Sequence, residues 1–123
     1  MTRFTASHLP EMNGWYERHG KPPVDFPSLP TFGLIEEGMA AGFLYITDST
    51  MGLLEGFVTN PDAPQPERSE ALEKILHGLM EGASLLGVKT LVGLCGTETI
   101  VKLGLRNGFR HLGQYEMVSK EVA

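Results

Sequence analysis

The stretch from Pro66 to Leu86 constrains the fold more than any other part of the chain. Leu72, Ile75, Leu76, Leu79, Ala83 and Leu86 recur at helical spacing and form one apolar stripe, while Glu67, Glu70, Glu73, Lys74 and Glu81 fill the other side. Pro66 suits a first helical turn, where an N–H has no partner anyway, and Gly87 suits the stop. A helix of this length spans about 30 Å and must lay its stripe on something of similar size. Gly78 and Gly82 lie inside it, each at about 1 kcal/mol relative to Ala, a cost that close packing onto a sheet would offset.

The flanking segments supply that sheet. Thr31–Glu36, Met39–Thr47 and Met51–Thr59 read as strands joined by Glu37-Gly38 and Asp48-Ser49-Thr50, with Asn60-Pro61 closing the third. Connections this short predict an antiparallel meander. Gly42 and Gly56, inside strands, predict bulges or a close neighbour. After the long helix, Val88–Leu94 reads as a buried strand, Thr97–Arg106 as a helix capped by Thr97 and ended by Asn107-Gly108, and Phe109–Lys120 as the last strand. A strand–helix–strand passage links parallel neighbours through a right-handed crossover. At the start, Ser7 reads as a cap for a helix carrying Leu9, Met12, Trp15 and Tyr16, stopped by Gly20; Lys21–Pro30, with four prolines, reads as an extended loop. The expected fold is α/β (α+β): one domain over residues 1–123, a mixed, mostly antiparallel sheet with flanking helices.

Composition narrows the partners. The hydrophobic share of 41% supports a core, and no apolar run reaches the roughly 18 residues of a membrane span. Net charge is −5 and the ten Lys and Arg are scattered, which argues against nucleic acid. Met1-Thr2-Arg3-Phe4 lacks the layout of a signal peptide, and the lone Cys95 cannot form an internal disulfide, so the cytoplasm is the expected compartment. His8, His19, His77 and His111 show no metal-binding spacing, and no metal is expected.

This order of elements, together with Ile100–Phe109, resembles the GNAT superfamily of acyl-CoA-dependent N-acyltransferases, in which a late helix ends in a Gly-Phe pair like Gly108-Phe109. Gly42-Phe43-Leu44-Tyr45-Ile46, Leu53–Asn60 with Pro61, and Ala83–Lys89 are similar to further parts of that family's pattern, so the likeness covers roughly residues 31–120. The resemblance implies acetyl-CoA as cofactor and an amine as acceptor. It places the pantetheine arm on the strand carrying Phe57 and Val58 and the pyrophosphate at Gln65, Arg68, Ser69 and Ala71, where the helix start offers free N–H groups and a positive dipole end. Against the family's R/Q-x-x-G-x-G/A motif, Gln65 takes the first position, but Arg68 and Glu70 stand where glycines belong, and Pro66 removes a donor. Glu67, Glu70 and Glu73 put negative charge into the same region, and Gly104 stands where the family's acid Tyr would be. The alternative is a degenerate, inactive fold of this kind that binds another protein; related compact chains occur in bacteria and their phages, and a homodimer is compatible with either.

Individual residues keep two readings. Glu55 is a general base toward an amine or an outward strand residue. Arg68 contacts phosphates or pairs with glutamates of its own helix. Cys95 is a thiol activated by the following helix or a buried small apolar residue. Trp15, Phe26 and Phe32 line an acceptor pocket or pack the core.

Overall fold

The computed structural model describes residues 1–123. A two-residue strand β1 (Thr2–Arg3) precedes a 3-10 turn and helix α1 (Leu9–Arg18). Strands β2 (Phe32–Glu36), β3 (Ala40–Ile46) and β4 (Met51–Thr59) follow, then helix α2 (Gln65–Leu85), strand β5 (Thr90–Gly93) and helix α3 (Glu98–Arg106). The sheet order is β1-β2-β3-β4-β5, antiparallel throughout except for the parallel β4–β5 pair that the α2 crossover creates. The mixed, mostly antiparallel sheet with flanking helices is the architecture the sequence predicts.

Each face of the sheet carries its own core. On one face α2 lays Ala71, Leu72, Ile75, Leu76, Leu79 and Ala83 against Leu34, Leu44 and Leu54, with Leu103 of α3 joining them. On the other face Met12 and Trp15 of α1 meet Phe4, Ile35, Ala41, Phe43 and Val58. The helical glycines sit where the sheet comes closest. A Cβ at Gly78 would lie 2.6 Å from the Leu34 side chain, and one at Gly82 would overlap the Phe32 ring. Close packing therefore accounts for both.

The proline-rich loop is pinned rather than free. Asn13 on α1 takes both backbone groups of Val24, accepting its N–H at 2.9 Å and donating to its carbonyl at 3.1 Å. The Lys21 N–H donates to the Tyr16 carbonyl at 2.9 Å, which fixes where the Lys21 side chain departs.

Three expectations need correction, and one short strand has no counterpart in the sequence reading. Ser7 is not the cap: the Thr5 N–H donates to His8 Nδ1 at 2.9 Å and a 3-10 turn leads into α1. The β1 strand is too short to leave a pattern in the sequence, yet pairs with β2. Strand β5 is only half-buried, because it is the edge of the sheet. Phe109–Lys120 forms no strand: the Phe109 N–H is bonded to the Gly104 carbonyl at 3.0 Å, and no backbone hydrogen bond follows it. The tail and β5 line a common cleft and share no backbone hydrogen bond. No helix is long and apolar enough to cross a membrane.

Candidate functional site

The site begins with a defect in the sheet. Phe43 pairs with Glu55 and Ala41 with Val58, so Gly42 alone faces two residues, Gly56 and Phe57. This is a β-bulge, and the extra residue is accommodated at Gly56, whose φ of +77° only glycine adopts readily. The bulge shifts the alternation by one. Phe57 consequently turns to the α2 face, where its ring covers the space a Cβ on Gly42 would need, 2.7 Å away.

Just before the bulge, β4 and β5 part. Their ladder runs only from Met51–Thr90 to Leu54–Gly93, and the Leu94 N–H to the Leu54 carbonyl, at 2.9 Å, is its last bond. Beyond Leu54 the β5 side of β4 has no strand partner. A cleft of about 260 Å³ opens there, bounded by Phe57, Val58 and Thr59 of β4, the start of α2, and the start of α3.

The start of α2 presents Gln65, Arg68, Ser69 and Leu72 to this cleft, one stripe at spacings of three and four. His19 enters from the end of α1, Lys21 from the start of the proline-rich loop, and Thr97 and Thr99 from the start of α3. Its ionisable lining is Arg68, Lys21 and His19, with no carboxylate. Gln65 Nε2 donates to Ser69 Oγ at 2.8 Å, and His19 Nε2 lies 2.9 Å from the Thr59 carbonyl. Arg68 makes no ion pair, and its Nε is buried without a hydrogen-bond partner.

The glutamates of α2 turn elsewhere. Glu70 meets Lys74 at 3.7 Å, Glu73 meets Arg106 at 3.0 Å, and Glu67 is exposed outside the lining. The negative charge expected at this place is therefore absent from the cleft, and so is the expected pairing of Arg68 with its own helix. The free donors of the first turn are the Gln65 and Glu67 amides, since Pro64 and Pro66 have none.

Glu55 stands in an adjoining cleft of about 270 Å³, with Tyr16, Lys21, Gly56, Phe57, Gly96 and Ile100 around it. Lys21 and Phe57 border both clefts. The Tyr16 hydroxyl donates to the Gly56 carbonyl at 3.3 Å. Burial first, and the Glu55 charge second, push the phenols of Tyr16 and Tyr45 up to about 12, so both stay protonated over the physiological range. Cys95, between the cleft residues Leu94 and Gly96, is exposed and lines neither cleft, and desolvation pushes its thiol up; it is neither the buried residue nor the activated nucleophile that the sequence offers.

The structure thus gathers Phe57, Val58, Gln65, Arg68 and Ser69 around one cleft and sets Glu55 in the next. Ala71 is a correction. It lies about a third of a turn round α2 from the cleft stripe and is buried against the sheet at 2% exposure. Trp15, Phe26 and Phe32 line neither cleft: Trp15 is core, Phe32 is packed under α2, and Phe26 is 42% exposed. His19, Lys21, Thr97 and Thr99 escape the sequence reading because nothing local distinguishes them from solvated helix-end residues.

No protein-family model and no curated protein matches this sequence. Solved structures do match in fold. TTHA1254 of Thermus thermophilus superposes with a TM-score of 0.68 at 19% identity, covering 99% of this chain and 96% of that one. A protein described as a "putative acetyltransferase" from Agrobacterium tumefaciens gives 0.68 at 12% identity, with 97% and 98% covered. Another, described as a "probable acetyltransferase", gives 0.62 at 14% identity, with 99% and 97% covered. At these identities the likeness shows a shared fold.

Proposed function

We propose that this chain is a GNAT-type N-acyltransferase that moves an acetyl group from acetyl-CoA to an amine. One observation carries the reading: the buried, unpartnered Nε of Arg68 in a cleft without carboxylates. A buried donor left unsatisfied costs about 1–3 kcal/mol, more when charged, and an anion in the cleft removes that cost. Lys21 adds a second cation, Ser69, Thr97 and Thr99 add hydroxyls, and the start of α2 adds two amides and the positive end of its dipole. These groups suit a pyrophosphate. The fold neighbours described as acetyltransferases agree with this reading.

When bound, acetyl-CoA supplies an activated thioester that an amine can attack directly. The chain's task is then largely positioning. Arg68, Lys21 and the first turn of α2 would hold the phosphates. Phe57, Val58 and the partnerless side of β4 would hold the pantetheine arm along the strand. Glu55, one cleft away across Lys21 and Phe57, accepts the proton of the amine. Gly104, packed under Phe109, offers no acid, so this chain would leave protonation of the leaving group to solvent.

Turnover is read by free thiol released from acetyl-CoA in the presence of a panel of amines. Glu55→Gln is expected to slow it by about 10²–10⁴-fold while acetyl-CoA binding persists; equal rates in the two proteins would remove Glu55 from the chemistry. The second reading, a fold of this type that binds another protein without turnover, is favoured by the two prolines that strip amides from the first turn of α2. It predicts no stabilisation by acetyl-CoA.

A further inference from the structure

The Glu55 cleft differs from the Arg68 cleft beside it in carrying both signs of charge. Its ionisable lining is Glu55, Lys21 and Tyr16. Tyr16 stays neutral: burial first, and the Glu55 charge second, hold its phenol at about 12, and its hydroxyl is spent on the Gly56 carbonyl. Glu55 and Lys21 are then the two charges of the cleft. Neither makes an ion pair, with the other or with any further group of the chain. The Lys21 ammonium stands on this side of the border between the clefts. Its Nζ lies 3.6 Å from where a Cβ on Gly96 would be, and Gly96 lines the Glu55 cleft but not the Arg68 cleft.

Much of the remaining wall is apolar. Pro22 and Val24 come from the proline-rich loop, Phe57 from β4, and Leu94 and Ile100 from the far side. Two hydrogen bonds between Asn13 and the Val24 backbone, at 2.9 and 3.1 Å, hold the loop, so this wall is set before any ligand arrives. The volume of about 270 Å³ falls just under the roughly 300–1,000 Å³ of pockets for drug-sized ligands, which suits a smaller molecule.

A carboxylate, an ammonium that does not reach it and an apolar wall define the ligand by complement. A polyamine or a plain alkylamine would satisfy Glu55 but meet Lys21 as a like charge, and a simple acid would do the reverse. A free amino acid carries both charges on one carbon, and an apolar side chain would cover the rest of the wall. The amino terminus of a peptide lacks that carboxylate.

We propose that the Glu55 cleft binds a free α-amino acid with an apolar side chain, its ammonium on Glu55, its carboxylate on Lys21 and its side chain against Val24, Phe57 and Ile100. An ammonium has three donors, so Lys21 can serve this carboxylate while bordering the phosphates on its other side. The fate of the amino group rests on the acetyl-transfer reading; its binding does not. On that reading the ammonium first yields one proton to solvent. The neutral nitrogen then bonds to the acetyl carbon as the carbon–sulfur bond breaks, its second proton passes to Glu55, and protonation of the sulfur is left to solvent.

Calorimetric titration of the full chain, alone and with saturating CoA, tests the site with L-leucine, leucinamide, isocaproate and glycine. Leucine is expected to bind. Leucinamide, without the carboxylate, and isocaproate, without the amine, should each bind about 10–100-fold more weakly, since each leaves one charged group unmet; glycine, without the apolar side chain, should also be weaker. Lys21→Met should bring leucine down to the level of leucinamide while binding leucinamide no more weakly than the wild type does; a merely structural role for Lys21 would weaken both. Glu55→Gln should bring leucine down to the level of isocaproate. Leucinamide as tight as leucine, an equal loss of both in Lys21→Met, or no saturable heat with leucine under either condition would overturn the proposal. Leucine binding to a chain that acetyl-CoA does not stabilise would support this site and contradict acetyl transfer. Acetyl transfer to leucinamide or alkylamines but not to leucine would contradict this site alone.

Discussion

Gly42 and the ring of Phe57 occupy a space that admits only one side chain. Gly42→Ala would set a methyl 2.7 Å from that ring and 3.0 Å from Ile75, and is expected to cost about 1–3 kcal/mol by overpacking, read as a lower urea midpoint. The sequence places a bulge or a close neighbour at Gly42 and Gly56; both occur, because inside a strand glycine is retained chiefly for those reasons. It does not reveal that the bulge turns Phe57 to the other face, since one inserted residue reverses an alternation that pattern reading assumes unbroken. The two phenols below the bulge give a pH signature. With Tyr16 and Tyr45 raised to about 12 from 10.0, the unfolded chain releases their protons first. Stability should be full below about pH 10 and decline as pH climbs toward the folded values. Replacing both by Phe should flatten that alkaline decline in urea titrations; an unchanged slope would mean they do not cause it.

At the scale of elements, α2 and α3 are joined by one carboxylate. Glu73 accepts from Asn107 Nδ2 at 2.9 Å and from Arg106 at 3.0 and 3.1 Å, while Asn107 also donates to the Leu103 carbonyl and closes α3. The Asn107 hydrogen bond is the largest cause, with Arg106 behind it, that holds the Glu73 carboxyl below its ordinary range. Its contribution is complete above the normal carboxylate pKa and is lost as pH falls through the lowered one. Glu73→Gln should therefore melt lower at neutral pH and show a shallower loss of stability in acid; a parallel acid profile would contradict this. The long helix, the three meander strands and the second helix are legible in sequence because each repeats its period over several turns or pleats. Glu73 reads only as one more charge on a solvated face, since its partners are more than thirty residues away.

For the whole molecule, the crossover through α2 dictates both candidate sites. It makes β5 parallel to β4, and the short ladder between them lets the strands part around the anion cleft while leaving β5 as an open edge. The sequence contains that topology, and it names Glu55, Gln65, Arg68 and Ser69 as site residues from a family likeness. It does not reveal that the glutamates of α2 point away from the cleft, nor that Lys21 arrives from the proline-rich loop, because both depend on how α1 and α2 are set against the sheet. The tail's failure to pair with its own β5 is likewise invisible in its loose alternation, because pairing depends on where the end of α3 releases the chain.

The central claim is that the Arg68 cleft binds the phosphates of acetyl-CoA. Thermal unfolding with and without acetyl-CoA tests it directly in the wild type, in Arg68→Ala, and in Glu67→Ala as an exposed change on the same turn. At a hundredfold excess over Kd the wild type should gain about 2.7 kcal/mol, Glu67→Ala should keep that gain, and Arg68→Ala should lose most of it. A wild-type melting curve that millimolar acetyl-CoA does not move, or an equal gain in Arg68→Ala, would contradict the claim.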